Sequence, residues 1–258
     1  MYTLFVSDLH LNAERPEKLE LFAQFIDALD QRCDGIYLLG DIFEFWHGDD
    51  DYSEDHTLII DGLTTITNKQ IPLYVQKGNR DFLLGKSFTR NTGSRLLSDP
   101  ACIDLYGQKY LIMHGDLLCT DDLAYQRFRR FVNNRWYQRL FLLLPLSIRR
   151  KISARVRHAS VEETQSKSEA IMDVNENTVN EYLLRHDVYS IIHGHTHRPA
   201  HHQWTLHDKT ANRYVLGDWY EDESILYASS AGKELMSVAT FIKTVAKLAD
   251  PAANSNQG

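Results

Sequence analysis

The sequence predicts an α/β protein with two sheets flanked by helices, interrupted once by a helical insertion. Three observations predict it. Short apolar runs alternate early with amphipathic helices, later strands follow one another directly, and five apolar runs stop abruptly at polar, chemically capable residues. At 258 residues, with 43% hydrophobic and 24% charged content, the chain can bury one large core and still carry an insertion.

Residues 2–6 open the chain as a buried strand, and Pro16 starts a helix with Leu19, Phe22, Phe25, Ile26 and Leu29 on one face. A second helix is expected over 55–69, and buried strands over 36–39, 73–75, 110–113 and 189–192. Residues 200–206, 212–216 and 224–228 then read as successive strands, which favours two sheets over one open parallel sheet. The expected core is therefore 1–119 with 188–245. Residues 120–187 form a helical cap between the strands that lead to His114 and His193, and 246–258 form a disordered tail. Asp121 or Thr120 is expected to cap the first helix of the insertion, whose start also presents Asp122. Further along it, Ser160, Thr164 and Lys167 share one helical stripe that suits a sugar phosphate or nucleotide, or is simply a solvated face.

Composition excludes several classes. A charge at Asp8 comes too early for an export signal, so the chain is expected to stay inside the cell. Cys33, Cys102 and Cys119 lack metal-ligand spacing and read as small buried residues with reduced thiols. The net charge of -7 conceals a block between Arg127 and Arg157 with nine arginines, one lysine and no acidic residue, so the block carries +10 and the remainder -17. Within it, 135–150 is apolar in the middle and basic at both ends. Its uninterrupted run, 140–144, is far shorter than the ~20 residues that span a bilayer. Read alone, this stretch is a buried helix with basic flanks. The acidic segment from His47 to His56 reads as a solvated loop.

The chemistry gathers at Asp8-Leu9-His10, Gly40-Asp41, Gly78-Asn79-Arg80-Asp81, His114-Gly115-Asp116 and His193-Gly194-His195-Thr196-His197, each behind an apolar run. Strands that end together deliver the residues just beyond them to one crevice. Carboxylates, an amide oxygen and imidazoles suit two divalent ions of intermediate hardness, manganese first, with zinc, iron or cobalt as alternatives. Seven groups are too many for one ion. Asp8, His10 and His197 suit one metal, Asn79, His114 and His195 the other, with Asp41 bridging. Two ions about 3.5 to 4 Å apart can share and deprotonate a water while drawing charge from a phosphoryl oxygen.

The order Asp-x-His, Gly-Asp, Gly-Asn, His-Gly, Gly-His-x-His resembles the calcineurin-like metallophosphoesterases from Asp8 to His197. That resemblance implies a four-layer α/β/β/α metallophosphoesterase sandwich with a helical cap and a dinuclear metal site at the sheet edges. Many members carry His after the Gly-Asn, where this chain has Arg80. A guanidinium is a poor proton donor but holds phosphate oxygens well, which fits a leaving group that needs little protonation, such as the phosphate monoester expelled from a diphosphate. The alternative for Arg80 is a surface ion pair with Asp81.

The Gly-Asn-Arg-Asp version, the basic insertion and the stretch 160–167 are similar to the branch of the family that cleaves a UDP-linked, doubly acylated amino sugar. The resemblance implies metal-activated water attack on the α-phosphorus, two manganese ions, and catalytic roles for Arg80 and His195. It implies substrate contacts from Asn79, Arg80, Asp122, Ser160, Thr164, Lys167 and His195. The expected partners are a glycolipid nucleotide and the anionic surface of the inner membrane, met through the basic, apolar cap at the cytoplasmic face. A monomer without nucleic-acid binding is expected. In that setting Trp136, Leu140, Phe141, Leu143, Leu144 and Leu146 line an acyl pocket or dip into the interface, and Arg149, Arg150 and Lys151 face lipid. Two other classes remain: a family member acting on soluble cyclic or dinucleotides, and a non-catalytic scaffold.

Overall fold

The computed structural model describes residues 1–166, 173–221 and 223–249. The chain begins with β1 (Tyr2–Val6), α1 (Pro16–Ala28), β2 (Cys33–Leu39), α2 (Glu54–Asn68) and β3 (Leu73–Gln76). It continues through α3 (Lys86–Thr92), β4 (Arg95–Leu96), β5 (Ala101–Leu105) and β6 (Gln108–Met113). The insertion between β6 and β7 contributes α4 (Leu123–Val132), α5 (Arg135–Leu142) and α6 (Leu146–Ser166), and α7 (Glu176–Arg185), which the sequence assigns to the cap, packs on the second sheet instead. Then come β7 (Ser190–His193), β8 (Ala200–Leu206), β9 (Lys209–Val215), β10 (Ser224–Ser229), β11 (Gly232–Ser237) and α8 (Val238–Ala249). The last helix covers 246–249, which the sequence assigns to the tail; 250–258 lie outside the described residues.

Two mixed sheets form, ordered β11-β10-β1-β2-β3-β4 and β5-β6-β7-β9-β8. The period-2 alternation of strand side chains sorts them into layers. Leu4 and Val6 of β1 and Ile36 and Leu38 of β2 face one way, joining Phe22, Phe25, Ile59, Leu63 and Phe241 of the helices outside the first sheet. Phe5 and Leu39 face the other way and meet Ile112, Ile192 and Tyr214 of the second sheet. Outside the second sheet, Val179 and Leu183 of α7 cover Leu111, Met113 and Ile191. Helix, sheet, sheet and helix thus make four layers, with apolar contact between each pair.

Strands β1, β2 and β3 run parallel, as do β6, β7 and β9. Their C-terminal ends therefore share an edge within each sheet, and the five chemical clusters leave from those edges.

The cap departs from expectation in three respects. The stretch 135–150 is two helices, interrupted before Leu146 at Pro145, whose missing N–H cannot continue the helical ladder. It is also not a buried helix: Trp136, Leu140 and Leu143 are 71%, 61% and 81% exposed, while Phe141 packs inward against the core. Arg149 does not face outward. It is buried, forks onto Asp50, and donates to the carbonyls of His47 and Leu144; Arg150 pairs with Asp51.

The acidic segment is accordingly no solvated loop. Asp51 and His56 are buried, and Asp49 accepts the backbone N–H groups of Gly85, Ser87 and Phe88 where α3 begins. It ties the cap to the core. Asp122, rather than Asp121 or Thr120, caps α4, accepting from the Tyr125 N–H at 3.0 Å. Cys33 and Cys119 are buried as expected, but Cys102 on β5 is exposed.

Candidate metal centre

The seven predicted ligand positions sit on the first residues after parallel strands, and five of them adopt a backbone shape that costs energy. Asp8, His10, Asp41, His195 and His197 all have φ between 46° and 70°. For residues with a Cβ this left-handed region costs roughly 1–3 kcal/mol each, and clusters of it mark sites where packing enforces a function. Two glycines make the enforcement possible. A Cβ on Gly78 would lie 2.1 Å from Asp41 Oδ1, and one on Gly194 would lie 2.2 Å from Asp8 Oδ2. Their absence lets the N–H of Arg80 reach Asp41 Oδ1 at 2.8 Å and the N–H of His195 reach Asp8 Oδ2 at 2.9 Å. Neighbouring loops are stitched together as well: Asp8 N–H donates to Gly40, and Gly194 N–H to His114.

These constraints bring the seven predicted ligands together. Asp8, His10 and His197 form one group with the spacing to hold an ion, and Asp8, Asp41 and His114 form another. Asp41 Oδ2 lies 3.8 Å from both His10 Nε2 and His114 Nε2, the intermediate position expected of a bridging carboxylate. Asp8 belongs to both groups. Asn79 Oδ1 is 2.9 Å from His114 Nε2, and the His195 ring lies 5.0 Å from that of His114.

The donor geometry fits cations rather than an ordinary hydrogen-bond network. His114 Nδ1 is 2.9 Å from the carbonyl of Leu39, which can only accept, so Nδ1 carries the proton. In the neutral ring Nε2 then presents a lone pair toward Asn79 Oδ1, and either a second proton on the ring or a metal ion reconciles two acceptors 2.9 Å apart. Burial opposes charge on His114, yet the surrounding carboxylates, Asp41 first, outweigh it and raise it to about 9. A metal ion would take the place of that proton. Burial also opposes charge on His197, but Asp8 and Asp218 lift it to about 10. Its Nδ1 meets Asp218 Oδ2 at 3.0 Å, leaving Nε2 toward Asp8, the carboxylate–imidazole pairing that orients metal ligands. Burial pushes Asp41 up to about 7, with Asp81 and Asp8 adding repulsion, while burial drives His10 down to about 3. Clustered buried carboxylates beside imidazoles that a metal ion would deprotonate are what divalent ions stabilise.

Arg80 pairs with Glu44 rather than with Asp81. Its Nη1 is 3.9 Å from Glu44 Oε1, whereas Asp81 is fully buried and accepts the N–H groups of Gly78 and Ile42. Its Nε finds no hydrogen-bond partner among the described residues. Arg157, from α6, reaches the same Glu44 oxygen at 3.1 Å, so cap and core meet over the site. At the other end of the cap, Arg129 bridges Asp116 and Asp99, and the Tyr125 hydroxyl donates to Asp116 at 2.9 Å. Asp122 is buried at the base of α4. Of Ser160 and Thr164 only the helical backbone is described, and Lys167 lies outside the described residues.

Sequence reasoning missed Asp218, Glu44, Tyr220 and Arg157. Asp218 had a signal: Gly217-Asp218 follows an apolar run just as Gly40-Asp41 does. The other three had none, because they come from separate segments that only the fold brings together.

A family profile described as calcineurin-like phosphoesterase matches residues 1–199. The chain is 47% identical over 236 residues to a UDP-2,3-diacylglucosamine hydrolase of Serratia proteamaculans (strain 568), spanning 92% of this chain and 98% of the relative. It is 46% identical over 236 residues to one of Escherichia coli O81 (strain ED1a), with the same coverage of 92% and 98%. Against one of Pectobacterium carotovorum subsp. carotovorum (strain PC1), identity is 48% over 237 residues, covering 92% and 99%.

Proposed function

The chain belongs to the calcineurin-like phosphoesterase family, and from that membership we propose that it hydrolyses UDP-2,3-diacylglucosamine to UMP and 2,3-diacylglucosamine 1-phosphate in lipid A synthesis. The observation that carries this reading is Arg80. It stands beside a centre able to hold metal, with its Nε unpartnered among the described residues, where proton donation to an alkoxide would call for a different side chain. A phosphoanhydride asks only for charge stabilisation, and a planar fork supplies it.

Two divalent ions, manganese in this reading, would be held by Asp8, His10, Asp41 and His197 and by Asp41, Asn79, His114 and His195, supplying Lewis acidity and an activated water. Arg80 holds the phosphate oxygens, Arg157 of α6 stands beside them, and the Glu44 oxygen that both guanidinium groups face holds the two together and offsets their repulsion. His195 contacts the substrate phosphate next to His114, and Asp122, Ser160, Thr164 and Lys167 contact the acylated sugar. Water oxygen enters UMP when attack is at the α-phosphorus, and the bond to the bridging oxygen breaks. The test is hydrolysis of the lipid substrate in oxygen-18 water with and without manganese. Manganese-stimulated UMP release with label in UMP is expected. Label in the lipid phosphate, or faster cleavage of soluble nucleotides, would overturn the reading.

The same reading puts the cap against the cytoplasmic face of the inner membrane. Among the described residues no helix is long and apolar enough to cross a membrane. Trp136, Leu140 and Leu143 instead offer an exposed apolar face beside Arg135 and Arg139, the composition that suits an anionic interface. Replacing all three with serine is expected to weaken co-sedimentation with anionic vesicles by about tenfold or more. Unchanged partitioning would remove this face from the account.

A further inference from the structure

A cavity of about 260 Å³ opens beside His10 and His197, on one side of the candidate metal centre. That is room for one small unit, such as a mononucleotide, and too little for a whole glycolipid nucleotide. Among the described residues of the cap only Arg157 lines it, so none of the exposed apolar side chains of α4 and α5 contributes. Acyl chains have their surface elsewhere, and this wall is polar.

The wall is also layered. Tyr220 lies flat on His10, with ring centroids 5.6 Å apart and planes 6° apart. Its hydroxyl is fixed 2.9 Å from Glu44 Oε2 and 3.1 Å from the His10 carbonyl. The Arg15 guanidinium then covers the Tyr220 ring at 4.1 Å. The outermost layer is therefore an exposed, flat, charged plane rich in donors, one residue from the carboxylate of Glu14. A guanidinium plane held in place by an aromatic ring is a stacking platform for a nucleobase, and its edges match the carbonyl oxygens of a pyrimidine. Arg80 and Arg157 stand at the same cavity, where a phosphate joined to that base would lie.

We propose that this cavity seats the nucleoside monophosphate half of the substrate, with a pyrimidine ring against the Arg15–Tyr220 stack and its phosphate toward Arg80 and Arg157. The assignment rests on the pyrophosphate-hydrolase reading and deepens it: the core side of the centre recognises the nucleotide, and the cap takes the acylated sugar. Arg15 is a specificity residue on this view, and nothing in the metal-ligand set requires it.

The test is binding of UMP, ribose 5-phosphate and glucosamine 1-phosphate to the manganese-loaded full chain by calorimetry. The wild-type protein is expected to bind UMP about five- to tenfold more tightly than ribose 5-phosphate. Arg15→Ala should abolish that preference with metal content and glucosamine 1-phosphate binding unchanged. Arg15→Lys should restore it only in part, because an ammonium cannot stack. Equal binding of UMP and ribose 5-phosphate by the wild-type protein, or an unaltered preference in Arg15→Ala, would overturn the subsite. Arg15 is exposed, so loss of folding does not confuse the result. An Arg15-dependent preference in a protein that releases no UMP from the glycolipid would instead refute the hydrolase reading and leave the subsite standing.

Discussion

Asp41→Asn is expected to lower hydrolysis by at least about 10³-fold, roughly 4 kcal/mol of barrier, and to reduce bound metal from two ions to one or none. The amide keeps the shape of the carboxylate and can still accept the Arg80 N–H that Asp41 Oδ1 receives at 2.8 Å. What it loses is the anionic oxygen standing 3.8 Å from both His10 and His114, between the two groups. Stability should move the other way in the metal-free protein. Asp41 is buried, and Asp81 and Asp8 repel its charge, so neutralising it relieves a strain that only cations offset. A gain of about 1 kcal/mol is expected, or about 2–4 °C in Tm for a chain of this size. Thermal melts with and without manganese, together with metal analysis, check both halves. Full activity with two bound ions in the variant would remove Asp41 from the centre. A lower metal-free Tm would show that its carboxylate serves folding instead.

That opposition between stability and function explains which parts of the protein could be seen in its sequence. The clustering of the candidate ligands was legible because two-metal chemistry demands lone pairs immediately after buried strands, and runs such as 2–6 and 110–113 announce those strands by composition. Strands β5 and β11 were not legible. They are sheet edges, partly exposed, and their residues (Ala-Cys-Ile-Asp-Leu and Gly-Lys-Glu-Leu-Met-Ser) lack the continuous apolar run of a central strand. Helices α3 and α8 were not legible either, the first because its seven residues span scarcely two turns.

The cap was legible as helices but not in the fate of its side chains. Charge composition made Arg149 look like a lipid contact, while its real partners lie about a hundred residues earlier, in the acidic loop. Ion pairing across such a distance leaves no local pattern. The same holds for Glu44, which meets Arg80, Arg157 and Tyr220 only because a loop after β2, a loop after β3, a cap helix and a loop after β9 converge. Asp218 is different: its Gly-Asp pair was visible, and recognising that an imidazole ligand needs an outer carboxylate would have found it.

Arg80→Ala is expected to lower hydrolysis of the lipid substrate about 10²- to 10³-fold while both ions stay bound. The separation comes from which atoms act. Only the backbone N–H of Arg80 touches Asp41, and alanine retains it, whereas the guanidinium is the part that faces the cavity. Arg80→Lys should recover only part of the loss, because an ammonium cannot grip two phosphate oxygens at once. Arg80→His is the sharper variant. It restores a side chain able to give up a proton, so it should raise cleavage of esters with poor leaving groups relative to pyrophosphate, a change in preference that a merely structural arginine would not produce. Rates on the glycolipid nucleotide and on a simple alkyl phosphodiester, measured alongside metal content, distinguish these outcomes. Near-wild-type activity in Arg80→Ala with both metals retained would take the guanidinium out of the reaction. Loss of activity together with loss of metal would reduce it to a support for the Asp41 loop.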